Sequence, residues 1–298
     1  MSNYTSENDM SRLSIVTVCK NRLAHLKRSL PSFVRQRDTS VVVVDYDCSE
    51  GTSAYVSGQH SDVAIARVED RPYFNNWDAR NIGASLCNAE LIAFIDADTV
   101  VAENFSDWVF DNIQPGTFGR MPDALSLSMH RDRQLNETSN RLAGLIVLPR
   151  TTFLELEGYD SLLEGWGAGG DLDLSDRLAF HGHKAVLLPE DLIQEGIQHT
   201  NDERTRFHKM TISQSHLIGT LYRTSKNSLM RQFSRELTAE ERKKLYGLSA
   251  MSAKRAEGRN SAQVEMLVIS RNVEGSNYEI RQTITTTVTW SGRSKSHQ

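Results

Sequence analysis

The sequence predicts an α/β fold, with a mostly parallel central sheet flanked by helices and a C-terminal helical and β-hairpin extension. Three observations carry this prediction. The runs LSIVTV (13–18), VVVVDYD (41–47) and LIAFID (91–96) are apolar almost throughout, as strands buried on both faces must be. Between them lie segments with apolar residues at helical spacing. A long charged helical stretch and two strand-like segments close the chain.

Taken in order, residues 1–12 are polar and read as a flexible tail, residues 13–210 as the α/β domain and 211–298 as the extension. LSIVTV is the first strand. Leu23, Leu26, Leu30, Phe33 and Val34 then mark a helix that Pro31 could kink. VVVVDYD is the second strand and AIARVE (64–69) a weaker third. WDARNIGASLCNAE (77–90) reads as a helix with Ala79, Ile82, Ser85 and Leu86 on one face, and LIAFID as the next strand. Residues 111–140 read as irregular, with Pro115, Gly116, Gly119 and Pro122 as loop markers. LAGLIVLPR (142–150) is a strand and TTFLELEGYD (151–160) a short helix ending at Gly158. EGWGAGG (164–170) reads as a flexible loop, followed by a helix that Gly182 terminates. KAVLLP (184–189) is a further strand. Residues 203–257 have a helical, charged pattern, with a Thr238–Glu241 capping box for a helix near 239–247. VEMLVIS (264–270) and YEIRQTITTTVTW (278–290) are strands joined by NVEGSN, the second alternating as a half-wet strand does.

Bulk properties exclude several classes. The net charge of −4 over 298 residues argues against nucleic acid as a partner. No apolar run approaches the roughly 20 residues that span a bilayer, and the polar N-terminus lacks the core of a signal peptide. Cys19, Cys48 and Cys87 are too few and too scattered for a disulfide framework or a zinc site. The expectation is a reduced, cytoplasmic protein, with the sequons at Asn3, Asn104 and Asn136 as chance matches. The basic run from Arg231 through Lys244 leaves open a peripheral contact with the inner membrane face, a solvated helix face being the plainer reading. The Thr-rich last strand leaves open a homodimer.

The acids carry the chemistry. In an open parallel sheet ligands bind beyond the carboxyl ends of the strands. The polar groups at three such ends are Cys19-Lys20-Asn21-Arg22, Asp45-Tyr46-Asp47 and Asp96-Ala97-Asp98. Converging carboxylates repel unless a cation lies between them, and a hard divalent ion bridges carboxylates to substrate phosphates. The plain alternative is that Asp96 and Asp98 cap the next turn. An EF-hand is excluded, because DADTVV lacks the required acid and glycine positions. GWGAGGDLDL (165–174) sets Trp166 among glycines, a platform for the apolar face of a sugar ring, and puts Asp171 and Asp173 at a helix start. Capping of that helix is the alternative for both acids. His199 follows in GIQHTND, and an imidazole added to carboxylates suits Mn²⁺ better than Mg²⁺.

IDAD, GWGAGGDLDL and HTND, with CKNRLAHLKRSL (19–30) and FNNWDARNIGA (74–84), resemble the ordered motifs of a GT-A glycosyltransferase of the family 2 type. They also resemble the β-1,4-galactosyltransferase and polypeptide N-acetylgalactosaminyltransferase groups. The resemblance covers roughly residues 13–210, which would be the GT-A catalytic domain. It implies a metal-dependent inverting transfer of Gal, GalNAc or a related hexose from a UDP-sugar to a hydroxyl of a saccharide or lipid-linked acceptor. Asp98 and His199 would bind Mn²⁺ or Mg²⁺, with Asp96 touching the metal or the ribose. Val18, Cys19, Lys20, Arg22, Asp45, Asn76, Arg80, Asp96 and Ala97 would line the donor nucleotide site, Asp45 holding the uracil. Trp166, Gly167 and Asp173 would contact the acceptor or the sugar, and Asp171 would be the catalytic base. Asp171 is preceded by Gly170 where these families carry a second acid, which leaves Asp173 or Glu164 to compensate. A catalytically degenerate sugar-nucleotide-binding protein and a nucleotidyltransferase are the alternatives, although CKNRLAHL lacks the phosphate loop of the latter. A glycoside hydrolase would use two carboxylates and no nucleotide.

Overall fold

The computed structural model describes residues 11–122, 144–198, 200–257, 259–272 and 279–290. It divides into two compact units, Met1–Ser161 with Leu174–Phe207, and Leu162–Asp173 with His208–Gln298.

The first unit is built on one sheet. β1 (Leu13–Cys19) is buried along its whole length and pairs in parallel with β2 (Thr39–Tyr46) on one side and β4 (Leu91–Phe94) on the other. β2 pairs in parallel with β3 (Ala64–Val68). β4 runs antiparallel to β7 (Ile146–Pro149), β7 antiparallel to β6 (Thr117–Arg120), and β6 parallel to β8 (Lys184–Leu187). The order is β3-β2-β1-β4-β7-β6-β8, so the chain reverses its direction across the sheet between β1 and β4. Such a switch point opens a crevice beyond the strand ends. β5 (Thr99–Val101) and β9 (Ile193–Gly196) form a separate antiparallel ladder.

Alternate strand residues face opposite sides of the sheet. Leu13, Ile15, Val41 and Val43 share a core with Leu26, Leu30 and Phe33 of helix α1 (Leu23–Val34). Val16 and Val44 instead face Gly83 of helix α3 (Asn76–Ala84). Helices therefore cover both faces, which explains why these strands are apolar throughout. α1 runs through Pro31 to Val34.

Two short helices escaped the sequence pattern. α2 (Thr52–Gln59) buries only Thr52 and Val56, too few residues to mark a period, and α4 (Phe105–Asn112) buries Phe105, Ser106 and Val109. The stretch expected to be irregular contains β6. Gly119 is there because a Cβ would lie 2.9 Å from Leu188 Cδ1, so it is a packing residue in a strand and not a loop marker. The rest of the unit comprises α5 (Arg150–Glu155), a 3₁₀ turn at Glu190–Leu192 and α7 (Asn201–Thr205).

In the second unit, α8 (Ile212–Phe233) packs against α9 (Ala239–Arg255), with Tyr222 and Tyr246 edge to face at 5.5 Å. Capping boxes start both helices, Thr211 with Gln214 and Thr238 with Glu241. The sequence signal at Thr238 was read as a short helix; Leu245, Ser249, Ser252 and Ala253 extend the buried stripe to Arg255. β10 (Ser261–Asn272) and β11 (Glu279–Thr289) form an antiparallel ladder, tied to α9 where Ser252 Oγ receives the Gln263 N–H at 3.0 Å. The boundary between the units falls within α6 (Gly170–Phe180). Among the described residues no helix is long and apolar enough to cross a membrane. The expected tail at 1–12 lies almost wholly outside the described residues, as does the NVEGSN connection.

A Cβ at Gly83 would lie 2.4 Å from Val16 Cγ1 and 2.8 Å from Val44 Cγ2, both on stiff β-branched side chains. Gly83→Ala is expected to cost about 2 kcal/mol through overpacking, seen as a lower urea midpoint at unchanged m-value.

Candidate active site

Beyond β4 the chain makes the turn that carries Asp96, Ala97 and Asp98, and its backbone is fixed from several directions. Ile95 N–H donates to Val16 carbonyl at 3.0 Å. Ser29, fully buried in α1, donates its hydroxyl to the Ala97 carbonyl at 2.7 Å. Ile197, just past β9, donates its N–H to the Asp98 carbonyl at 2.6 Å. The β5–β9 pairing of Thr99 with Gly196 creates this last contact, so the chain that leads to His199 runs beside Asp98. His199 itself lies outside the described residues.

The two aspartates differ in what holds them. Asp96 Oδ1 receives Arg80 Nη2 at 2.7 Å and Oδ2 receives the Gly144 N–H at 3.2 Å. Arg80 is 1% exposed and also donates to the Tyr159 hydroxyl at 3.0 Å and the Gly144 carbonyl at 2.6 Å. The rings of Trp77, Tyr159 and Phe94 lie 5.4–5.8 Å from its guanidinium. Arg80 thus reaches the motif through Asp96. Asp98 is half-buried.

Helix α3 is shaped for this task. Asn75 caps it by accepting the N–H groups of Trp77 and Asp78, and half-buried Asn76 opens its first turn. Asn81 bonds the Tyr159 backbone both ways, at 2.9 Å each, which holds the phenol that Arg80 meets. Four positions of the segment FNNWDARNIGA thus have a structural role: a cap at Asn75, a buried cation at Arg80, an amide clamp at Asn81 and a close-approach glycine at Gly83.

At the ends of β1 and β2 the polar groups are committed. Lys20 is 6% exposed, and its ammonium donates to the carbonyls of Tyr46, Asp47 and Arg71 at 3.3, 3.2 and 2.6 Å. Arg22 donates to the Glu203 carbonyl at 3.0 Å. Asp45 receives the N–H groups of Cys48 and Ser53 at 3.0 and 2.9 Å and the Ser53 hydroxyl. Its carboxylate stands at a cleft of about 180 Å³ that is also lined by Cys48, Ser53, Arg67 and Glu69. Val18 and Cys19 are buried in β1.

In the second unit the run EGWGAGG is seated rather than loose. Gly165, Gly167 and Gly169 all have φ between 81° and 89°, a region closed to most side chains. The Trp166 carbonyl receives the Ser215 hydroxyl at 2.5 Å, and a Cβ on Gly219 would lie 2.2 Å from the Ala168 carbonyl oxygen. Helix α8 is the bed of this loop, with Trp166 39% exposed above it. Asp173 forms an ion pair with Lys226 at 2.7 Å, the side chains being 1% and 0% exposed. Asp171, two residues earlier, is half-buried, and Gly167 is exposed.

Among the described residues no three His, Cys, Asp or Glu side chains cluster as a closed metal site. Asp96 and Asp98 are carboxylate donors of the kind a hard cation bound to phosphate oxygens would take, Asp96 being held by Arg80 and Gly144 and Asp98 half-buried. Sequence reading did not identify Ser29, Tyr159 or Lys226. Their type gives no signal, since a helix serine, a loop tyrosine and a lysine in a charged helix are ordinary until the fold pairs them.

Residues 14–110 match the model of glycosyl transferase family 2. No curated protein matches the chain. A mannosyltransferase from Pyrobaculum calidifontis, solved in complex with GDP-Man and Mn2+, is similar over 83% of this chain and 74% of its own, with TM-score 0.50 and 14% identity. S. aureus TarS 1–349 is similar over 81% and 79%, with TM-score 0.47 and 13% identity. The mannosyltransferase likeness is one of fold: the sheet and its helices have the GT-A arrangement. The family match over residues 14–110 is what supports a glycosyltransferase activity.

Arg80→Met removes the hydrogen bonds to Asp96, Tyr159 and the Gly144 carbonyl and is expected to cost about 1–2 kcal/mol in chemical denaturation, Asp96 itself staying within reach of water. Lys226→Met strands a buried carboxylate and is expected to cost about 3–5 kcal/mol, whereas Lys226→Met with Asp173→Leu recovers at least half of that loss.

Proposed function

We propose that the protein transfers a hexose such as Gal or GalNAc, with inversion, from a UDP-sugar to a hydroxyl of a saccharide or lipid-linked acceptor. The observation that carries the reading is the Asp96-Ala97-Asp98 turn. It sits at the switch point of the sheet, with its backbone held by Ser29 and Ile197 and its first acid held by Arg80. A turn fixed this firmly presents its second acid in one place.

Asp98, with His199, would hold a divalent metal, for which Mn²⁺ is the choice; the similar-fold mannosyltransferase was solved with that ion. When bound, the metal supplies charge stabilisation to the departing diphosphate. Asp45 is assigned to the base of the nucleotide. A carboxylate offers about four acceptor sites, of which Cys48 and Ser53 fill three, so one more N–H, such as that of uracil, completes the set. Lys20 and Arg22 support the nucleotide side by fixing the strand ends and the neighbouring loops.

A sugar hydroxyl ionises far above neutral pH and needs a base as it attacks. Asp171 is assigned that role, because Asp173 is committed to Lys226 and cannot take up a proton without breaking a buried pair. An inverting displacement needs no carboxylate nucleophile, so one base suffices. Trp166 and Gly167 are assigned to the sugar face of the acceptor.

The test is nucleoside diphosphate release from a panel of UDP- and GDP-sugars with Mn²⁺. Asp171→Asn is expected to keep UDP binding and lose transfer by about 10²–10⁴-fold. Asp98→Ala is expected to abolish the Mn²⁺ dependence of UDP binding in calorimetry. Asp171→Asn turning over at the wild-type rate sinks the base assignment. Asp98→Ala binding UDP and Mn²⁺ unchanged sinks the metal assignment, and activity confined to GDP-sugars sinks the choice of UDP.

A further inference from the structure

Cys48 lies half-buried at the cleft beyond β2, and Cys19, the last residue of β1, is fully buried. The Thr52 hydroxyl stands 3.1 Å from both sulfurs. Its one proton can serve only one sulfur at a time. The Asn21 N–H points at Cys48 Sγ from 3.2 Å. Two donors, the Asn21 N–H and the Thr52 hydroxyl, thus reach one sulfur at the edge of the cleft, an arrangement that favours S⁻ over S–H. Cys19 instead belongs to the apolar core between β1 and α1, which favours its neutral form. The titratable groups facing Cys48 are Cys19 beneath it and Asp45, Asp47, Arg67 and Glu69 around the cleft. The hydrogen bond from Cys19, followed by those from Thr52, Glu50 and Asn21, holds the Cys48 thiol down to about 5 against the effect of burial. The same bond from the other side, with burial, raises Cys19.

We infer that Cys48 is an oxidation site for hydroperoxides at this cleft, with Cys19 as the thiol that resolves it into a disulfide. The Cys48 thiolate attacks the terminal peroxide oxygen, the O–O bond breaks, and hydroxide leaves from hydrogen peroxide or an alkoxide from an organic hydroperoxide, giving a sulfenic acid on Cys48. The Cys19 sulfur then attacks that sulfur. The S–S bond forms, the S–O bond breaks, and water leaves with the Cys19 proton. Two electrons pass from the pair of sulfurs to the peroxide. Cys87, buried beneath α3 with its thiol near the Gly83 carbonyl, has no second cysteine in this arrangement and serves as the internal control.

The test is iodoacetamide labelling of the native full-length chain followed by peptide mass spectrometry. Between about pH 6.5 and about 8.5 the Cys48 rate is expected to change less than about twofold, whereas an ordinary thiol speeds up on the order of 50-fold. Hydrogen peroxide is expected to give a linked Cys19–Cys48 peptide pair. In Cys19→Ser it is expected to stop at a Cys48 sulfenic acid that dimedone traps. An ordinary pH slope at Cys48 overturns the inference. So does peroxide oxidation of Cys87 as early as Cys48, or oxidised wild-type chain with no 19–48 linkage.

Discussion

A buried guanidinium organises the turn beyond β4 and the chain around it. Arg80 is almost wholly withdrawn from water, and taking a cation out of water costs several kcal/mol. The cost is offset by a carboxylate, a phenol, a carbonyl and the faces of three aromatic rings. Asp96, Gly144 and Tyr159 come from three separate pieces of chain, so Arg80 fastens α3 to all three at one point. An ion pair that is buried on only one side contributes modest net stability. What this pair supplies is position: with Asp96 held at two oxygens, the turn cannot rotate, and Asp98 follows.

The strands that build the site were legible in the sequence because burial on both faces leaves little choice of residue. LSIVTV, VVVVDYD and LIAFID became β1, β2 and β4, with the acids after β4 at the switch point and those of β2 one strand away. The partnerships of those acids were not legible. Nothing in a one-dimensional string says that Arg80 meets Asp96, since the two are separated by most of a helix and a strand and meet only when α3 packs on β1. The short helices α2 and α4 escaped for a different reason: a segment that buries two or three residues leaves too few points to define a period. Gly119 was read as a loop marker because glycine in a string signals turns, whereas here its lack of a side chain makes room for Leu188.

The Gly-rich run in the second unit illustrates the same ambiguity with the opposite result. Glycines at 165, 167, 169 and 170 suggest slack. In the folded chain three of them adopt positive φ, and Gly219 on α8 lets the Ala168 backbone approach closely. The glycines thus permit a tight shape, one that Ser215 and Lys226 then fasten on either side of Asp171. The extension, which matches no motif recognised in the sequence, gains a physical role: α8 is the surface on which this loop is moulded.

The Lys20 ammonium shows where charge near the strand ends is already spent. It carries three hydrogens, and three diverging carbonyls accept them. A lysine in that state behaves as a tripod brace between β2 and the Arg71 loop. It has no hydrogen left for an incoming anion unless one leg lets go. A planar guanidinium could not stand on the same three feet, so arginine at this position would be a change of architecture rather than a conservative exchange of one positive charge for another.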